Sequence, residues 1–161
     1  MKNISTSWWL IGLGVFIVAM FVWSNVASRS ESASRTNREV ALLCTTDMAT
    51  QFHIHPVLKI VVNGKEQVVP ANIGIQPNCM NSLHTHDASG TIHVEAPEQR
   101  DFTLDDLFAV WKESFNKDQI LEYKADATHQ IHVSVNGAKL DTYENTVLRD
   151  KDQIIISYEN K

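Results

Sequence analysis

Positive charge is scarce in this chain: fourteen Lys and Arg stand against nineteen Asp and Glu, for a formal net charge of -5. A balance of that sign excludes a nucleic-acid binder, which needs Lys and Arg to meet phosphates. Charged residues of both signs make up only 20% of the chain, which also excludes a disordered acidic polymer. Cysteine is nearly absent, with Cys44 and Cys79 alone, and no convincing internal repeat is present although VVNG and SVNG recur. With 161 residues there is room for one domain and an appendage, so a multidomain enzyme is excluded. Histidine is the residue that clusters. All seven lie between His53 and His132.

Charge is unevenly placed. Residues 1–40 carry Lys2, Arg29, Arg35 and Arg38 against Glu31 and Glu39, so a slightly basic leader precedes an acidic remainder. From Trp8 to Ala27 no residue is charged, and twenty residues of helix just cross a bilayer core. Trp8, Trp9 and Trp23 near its ends suit the interfaces. Asn25-Val26-Ala27 codes poorly for cleavage, and Leu43 before Cys44 argues against lipidation. The expectation is an uncleaved anchor over 1–27, a polar linker over 28–40 and a His-rich domain over 41–161. The arginines after the span would by themselves hold that domain in the cytoplasm. The very short N-terminal tail and the chemistry that follows place it outside, as a single-pass protein of the cell membrane.

The domain reads as α+β, a small antiparallel or mixed sheet with one packed helix. Val57–Val62, Asn63-Gly64 and Lys65–Val69 form a hairpin signal, because Asn-Gly accepts the two positive φ angles of a type I′ turn. Ser82–His86 and Thr91–Glu95 read as strands around the turn 87–90. Thr103 and Asp106 resemble a capping box opening a helix with Leu104, Leu107, Phe108, Trp111 and Phe115 along one stripe, closed by residues 116–118. Asn136-Gly137 turns a second strand pair, and 153–158 forms the last strand.

Strand parity organises the histidines. Side chains alternate along a strand, so His84 and His86 share one face and His93 and Glu95 share another. With a turn at 87–90, His84 faces His93 and His86 faces Thr91, close enough for the imidazoles to reach one ion. Their expected partners, Leu83, Thr85, Ile92 and Val94, point to the core. Neutral imidazole suits copper and zinc, one ion per domain. His53 and His55 repeat the i, i+2 spacing, and Pro56 holds His55 extended. His129 and His132 differ in parity and read as surface residues. Asp87 and Glu95 are candidates to orient ligand rings, although Asp87 also suits a cap on its own turn. Cys44 and Cys79 stand before the two His pairs, with Met48 and Met80 close by. They are either a disulfide, as an oxidising compartment favours, or further ligands whose soft sulfur would favour Cu(I).

The motifs HIHP (53–56), VPANIGI (69–75), Cys79, LHTHDASGTIHVE (83–95) and FTL (102–104) with Trp111 resemble those of a set of poorly characterised, secreted or membrane-anchored prokaryotic proteins. The resemblance implies that location and brings no assigned activity. Residues 133–137, 147–150 and 154–156 faintly resemble β-grasp sulfur carriers, which implies a β-grasp-like topology. The ending Glu159-Asn160-Lys161 lacks the Gly-Gly of a carrier.

Three functions are compatible. The first is a membrane-tethered metal-binding protein for copper or zinc, acting as chaperone, sensor or accessory to a membrane protein. The second is a three-His zinc enzyme of hydrolase or lyase type with Glu95 as general base, since HxH plus a third His on the next strand looks like the α-type carbonic anhydrase site. The third is a pH-responsive interaction domain without metal.

Overall fold

The computed structural model describes residues 6–46, 48 and 50–161. The chain divides into two compact units, with the boundary between Arg35 and Thr36. The first is α1 (Thr6–Ser34), a helix of 29 residues. Its described apolar side chains, among them Ile11, Phe16, Phe21 and Trp23, are exposed. Among the described residues no helix is long and apolar enough to cross a membrane. The expected anchor over 1–27 begins outside the described residues, and within it side chains are described for 11–24 and 26.

Composition assigns 28–40 to a linker, and the fold departs from that reading. Helix α1 continues to Ser34, and α2 (Asn37–Leu42) opens the second unit. Thr36 and Glu39 cap α2 reciprocally: the Glu39 N–H donates to the Thr36 hydroxyl and the Thr36 N–H to the Glu39 carboxylate. Val40 and Ala41 are buried. Arg38 donates to the Asp105 carbonyl and pairs with the carboxylates of Asp105 and Asp106. A single helical turn with two buried residues is too short to alter local composition.

The second unit is a small mixed α+β domain. Its strands are β1 (Cys44–Thr45), β2 (Phe52–Ile54), β3 (Val57–Val62), β4 (Lys65–Gln67), β5 (Ile75–Gln76), β6 (Cys79–Asn81), β7 (Leu83–His84) and β8 (His93–Ala96). After α3 (Leu104–Trp111) come β9 (Phe115–Asn116), β10 (Gln119–Ile120), β11 (Tyr123–Lys124), β12 (His129–Val135), β13 (Ala138–Leu140), a 3-10 turn at Tyr143–Asn145, and β14 (Gln153–Asn160). Both Asn-Gly turns form as the sequence implies, with φ of 48° and 78° at Asn63 and Gly64 and 53° and 82° at Asn136 and Gly137.

The largest sheet has the order β13-β12-β14-β3-β4. Its central pair, β3 and β14, runs parallel, with Ile154 beside Leu58 and Ile156 beside Ile60. Alternation buries Leu58, Ile60, Ile131, Val133, Ile154 and Ile156 on one face. Leu104, Leu107 and Phe108 of α3 belong to the same buried cluster. The Thr103–Asp106 capping box is present in both halves. The helix stops earlier than its apolar stripe suggests, because Lys112 takes a left-handed conformation with φ 65°. Phe115 therefore lies on β9, buried, with its ring centroid 4.8 Å from that of Phe108. Asn116–Asp118 belongs to the β9–β10 hairpin, where Asn116 Oδ1 accepts from the Asp118 N–H.

Two small sheets carry the remaining motifs. One, β1-β6-β5, holds the Cys44–Cys79 disulfide, and the other, β2-β8-β7, holds the histidines.

Candidate metal centre

The site is built on strands too short to be held by their ladders. β7 has two residues and β8 four. Individual contacts position them instead. The Thr85 hydroxyl donates to the Pro70 carbonyl at 2.8 Å and accepts from the Ile73 N–H at 3.1 Å, so the loop 70–75 wraps the histidine segment. Gly90 at φ +80° accepts from the Leu58 N–H, and a Cβ there would stand 2.2 Å from the Leu58 carbonyl oxygen. Gly74 at φ +68° lies as close to the Leu83 carbonyl, at 2.4 Å from its would-be Cβ. Only glycine allows both approaches, which gives the two glycines of VPANIGI and HDASGTI a backbone reason.

His84 pairs with His93 across β7 and β8, as parity requires. The second expected pair does not form: Thr91 bridges Val57 instead, and His86 lies beyond the end of β7. The imidazoles also do not share a solvated face. His84 is 0% exposed, His93 half-buried and His86 exposed. Thr85 is bonded through its backbone to Asn72 and Ile73, and the chain bends at His86, whose ring lies against that of the buried His84. The ring centroids of His84 and His86 are 4.9 Å apart, those of His86 and His93 4.5 Å, and those of His84 and His93 5.4 Å.

The His84 Nδ1–H donates to the Asn81 carbonyl at 3.0 Å, because that oxygen can only accept. The tautomer is thereby set, and Nε2 keeps a lone pair. That nitrogen is buried and has no hydrogen-bond partner. An orphan of this kind costs about 1–3 kcal/mol unless something occupies it. Burial holds the His84 pKa below its ordinary value, against the opposing pull of the Asn81 carbonyl and the Glu95 charge. Burial also lowers that of His93, reinforced by His86, His55, His84 and His53. Both rings are therefore kept neutral, the form that binds metal.

A second group forms on the other side of His93. β2 pairs with β8, placing His53 opposite Glu95. The His53 and His55 ring centroids are 4.3 Å apart, and His55 and His93 meet edge to face at 4.6 Å. His53 Nε2 stands 3.5 Å from His93 Nδ1 and 3.2 Å from Glu95 Oε1. Thr50 Oγ1 donates to Glu95 Oε2 at 3.2 Å. Among the described residues, ligand nitrogens within 4.8 Å of one another occur in two groups, His53/His55/His93 and His84/His86/His93. The two HxH pairs thus belong to one cluster with His93 at its centre.

Other sequence candidates fall elsewhere. Cys44 and Cys79 are bonded to each other across 35 positions, which removes both cysteine sulfurs from the ligand set and with them the thiolate part of the argument for Cu(I). Asp87 caps its own turn: Oδ1 accepts from the Ser89 N–H at 2.9 Å, and its bonds to Ser89 lower its pKa. Glu95 is the carboxylate at the site. His129 bonds Asp126 and stacks on Tyr158, while His132 Nε2 faces Glu159 Oε1 at 3.4 Å. Both are half-buried rather than on the surface, and the His132 Nδ1 is also an orphan, but neither belongs to a group of converging donors. Sequence reasoning missed Asn81, which acts through its carbonyl, and Thr50. A backbone acceptor leaves no sequence signal.

The arrangement can hold a cation through neutral imidazoles, with one carboxylate at its exposed side. No family model, curated protein or solved structure matches the chain.

Proposed function

We propose that the chain is a membrane-tethered metal-binding protein for copper or zinc, holding one ion per domain as a chaperone, sensor or accessory to a membrane protein. The observation that carries this reading is the buried, unpartnered Nε2 of His84, fixed by Asn81 and set among converging imidazoles. A hydrogen bond behind a ligand ring is what metal-binding histidines use to fix tautomer and aim. With the sulfurs in a disulfide, the donors are imidazole and carboxylate, which suits Cu(II) and Zn²⁺. The disulfide is also consistent with an extracytoplasmic domain. Support for the tether is the uncharged run Trp8–Ala27 on α1.

The finer fold reading belongs here as well. The order β4-β3-β14-β12 with a parallel central pair, a helix between the hairpin and the later strands, and a 3-10 turn before β14 supports a β-grasp-like topology. The site segment 70–96 is then an insertion between hairpin and helix.

Elemental analysis of the full chain, expressed without an affinity histidine tag and loaded with zinc or copper, tests the function. About one ion per chain is expected, lost when His84, His86 and His93 are all replaced by Ala. A chain that takes up no stoichiometric metal is not a metal-binding protein. A second reading, a zinc hydrolase or lyase, draws on Glu95 beside His53. It requires turnover of a small ester or carbon dioxide that Glu95→Gln abolishes while the ion stays bound.

A further inference from the structure

Resting on the metal-binding reading, we propose that the five histidines form a two-position relay for a single divalent cation. The ion enters at His53, His55 and His93 and passes by ligand exchange on His93 to His84, His86 and His93. Both groups converge within ligand range and share only His93. An ion in either position uses that ring, which is the one ligand residue common to both positions.

The two positions differ in ways that give the path a direction. His53 is exposed and His55 half-buried, so the outer group is open to solvent, whereas the inner group pairs the exposed His86 with the fully buried His84. Glu95 adds a carboxylate there, 3.2 Å from His53 Nε2, and thereby draws cations toward the entrance. His53 Nε2 and His93 Nδ1 are 3.5 Å apart, close to the ~3.3 Å between two nitrogens that share a tetrahedral ion at ~2.0–2.1 Å. In the ion-free chain, however, His53 Nε2 already stands against Glu95 Oε1 and His93 Nδ1, contacts that an incoming ion must displace. The inner group has no such competitor: His84 Nε2 is buried, unpartnered and aimed by Asn81. Capture is therefore favoured outside and retention inside.

Simultaneous occupancy is disfavoured by the same geometry. The His53 and His84 rings flank one His93 ring with centroids 5.7 and 5.4 Å from it. Two divalent ions on this cluster would need the His93 ring stripped of its proton as a bridge, and would repel each other with four times the force of unit charges.

The test uses full-length chain in detergent micelles and Zn²⁺ alone, with occupancy read by native mass spectrometry and loading by stopped flow against a zinc indicator. Wild type should saturate at one ion. His53→Ala/His55→Ala, at exposed or half-buried positions, should still reach one ion but load at least ~10-fold more slowly. His86→Ala should load at the wild-type rate and release the ion ~10–100-fold faster, the scale on which lost metal-site contacts act. His93→Gln, checked for folding by its melting curve, should lose the ion from both positions. Two ions on wild type, an unaltered loading rate in the double variant, or a fully retained ion in His93→Gln would each overturn the relay and leave metal binding intact. No ion on wild type would overturn both.

Discussion

The large sheet β13-β12-β14-β3-β4 and the small sheet β2-β8-β7 solve the same problem in different ways. In the first, strands of up to eight residues bury alternate side chains, and seven consecutive residue pairs join β12 to β14. Its two histidines face carboxylates, His129 also stacking on Tyr158, and neither joins a group of converging donors. In the second, strands of two to four residues and the positions just beyond them gather four histidines around a fifth, His93. That region is held by a disulfide nearby, two glycines against carbonyls, one buried threonine and a carbonyl behind His84. Distributed burial makes the first region tolerant, and single contacts make the second vulnerable. A donor cluster requires polar atoms in the interior, so its strands cannot rely on apolar alternation.

Breaking this contrast begins with the disulfide. Cys44→Ala/Cys79→Ala should lower stability by about 4 kcal/mol, by releasing a 35-residue separation in the unfolded chain. Urea melts measure the loss, and hydrogen exchange should rise in β1 and β6 well before β12 and β14. Gly90→Ala follows at about 3 kcal/mol, since positive φ and contact with the Leu58 carbonyl act together. Gly137→Ala, at similar φ on the large sheet but with nothing within 4 Å, should cost only about 1 kcal/mol. Equal losses at the two glycines would erase the distinction.

Zinc at 100 times its Kd should add about 2.7 kcal/mol to thermal or chemical stability. His132→Gln should leave that gain unaltered, whereas His86→Ala should reduce it. Thr85→Val should cost about 2 kcal/mol, because the Ile73 N–H and the Pro70 carbonyl lose a buried partner. The smallest expected effect is that of pH on the ion-free chain. His84 and His93 have folded pKa values below 6.5, so the unfolded state binds their protons first. The stability they contribute is complete above about pH 6.5 and is lost as pH falls toward the folded values. A urea midpoint that holds steady from pH 7.5 to 5 would contradict this linkage.

Much of the regular structure is legible in the residues. Asn63-Gly64 and Asn136-Gly137 announce their turns, and Thr103 with Asp106 announces α3, because these signals act over two to four positions. Phe115 misleads for the opposite reason: it continues a helical spacing across a chain that Lys112 has already turned. Thr36 and Glu39 before Val40 are a capping signature that the polar surroundings conceal. At the site, parity identifies the His84–His93 pair, but His86 escapes its rung because Thr91 is taken by Val57.

The sequence by itself determined the donor chemistry: which histidines come in HxH pairs, which strand face each pair favours, and where the two Asn-Gly turns fall. Tertiary structure decided which donors meet. β2 joins β8 across about forty positions, a pairing set by the packing of Ile54 and Val94 rather than by any local pattern, and this brings His53 and His55 to His93. The burial of His84 and its orphan nitrogen depend likewise on a loop at 70–75 and a carbonyl at Asn81. Spacing along a chain fixes the direction of a side chain, and only packing between distant segments fixes its surroundings.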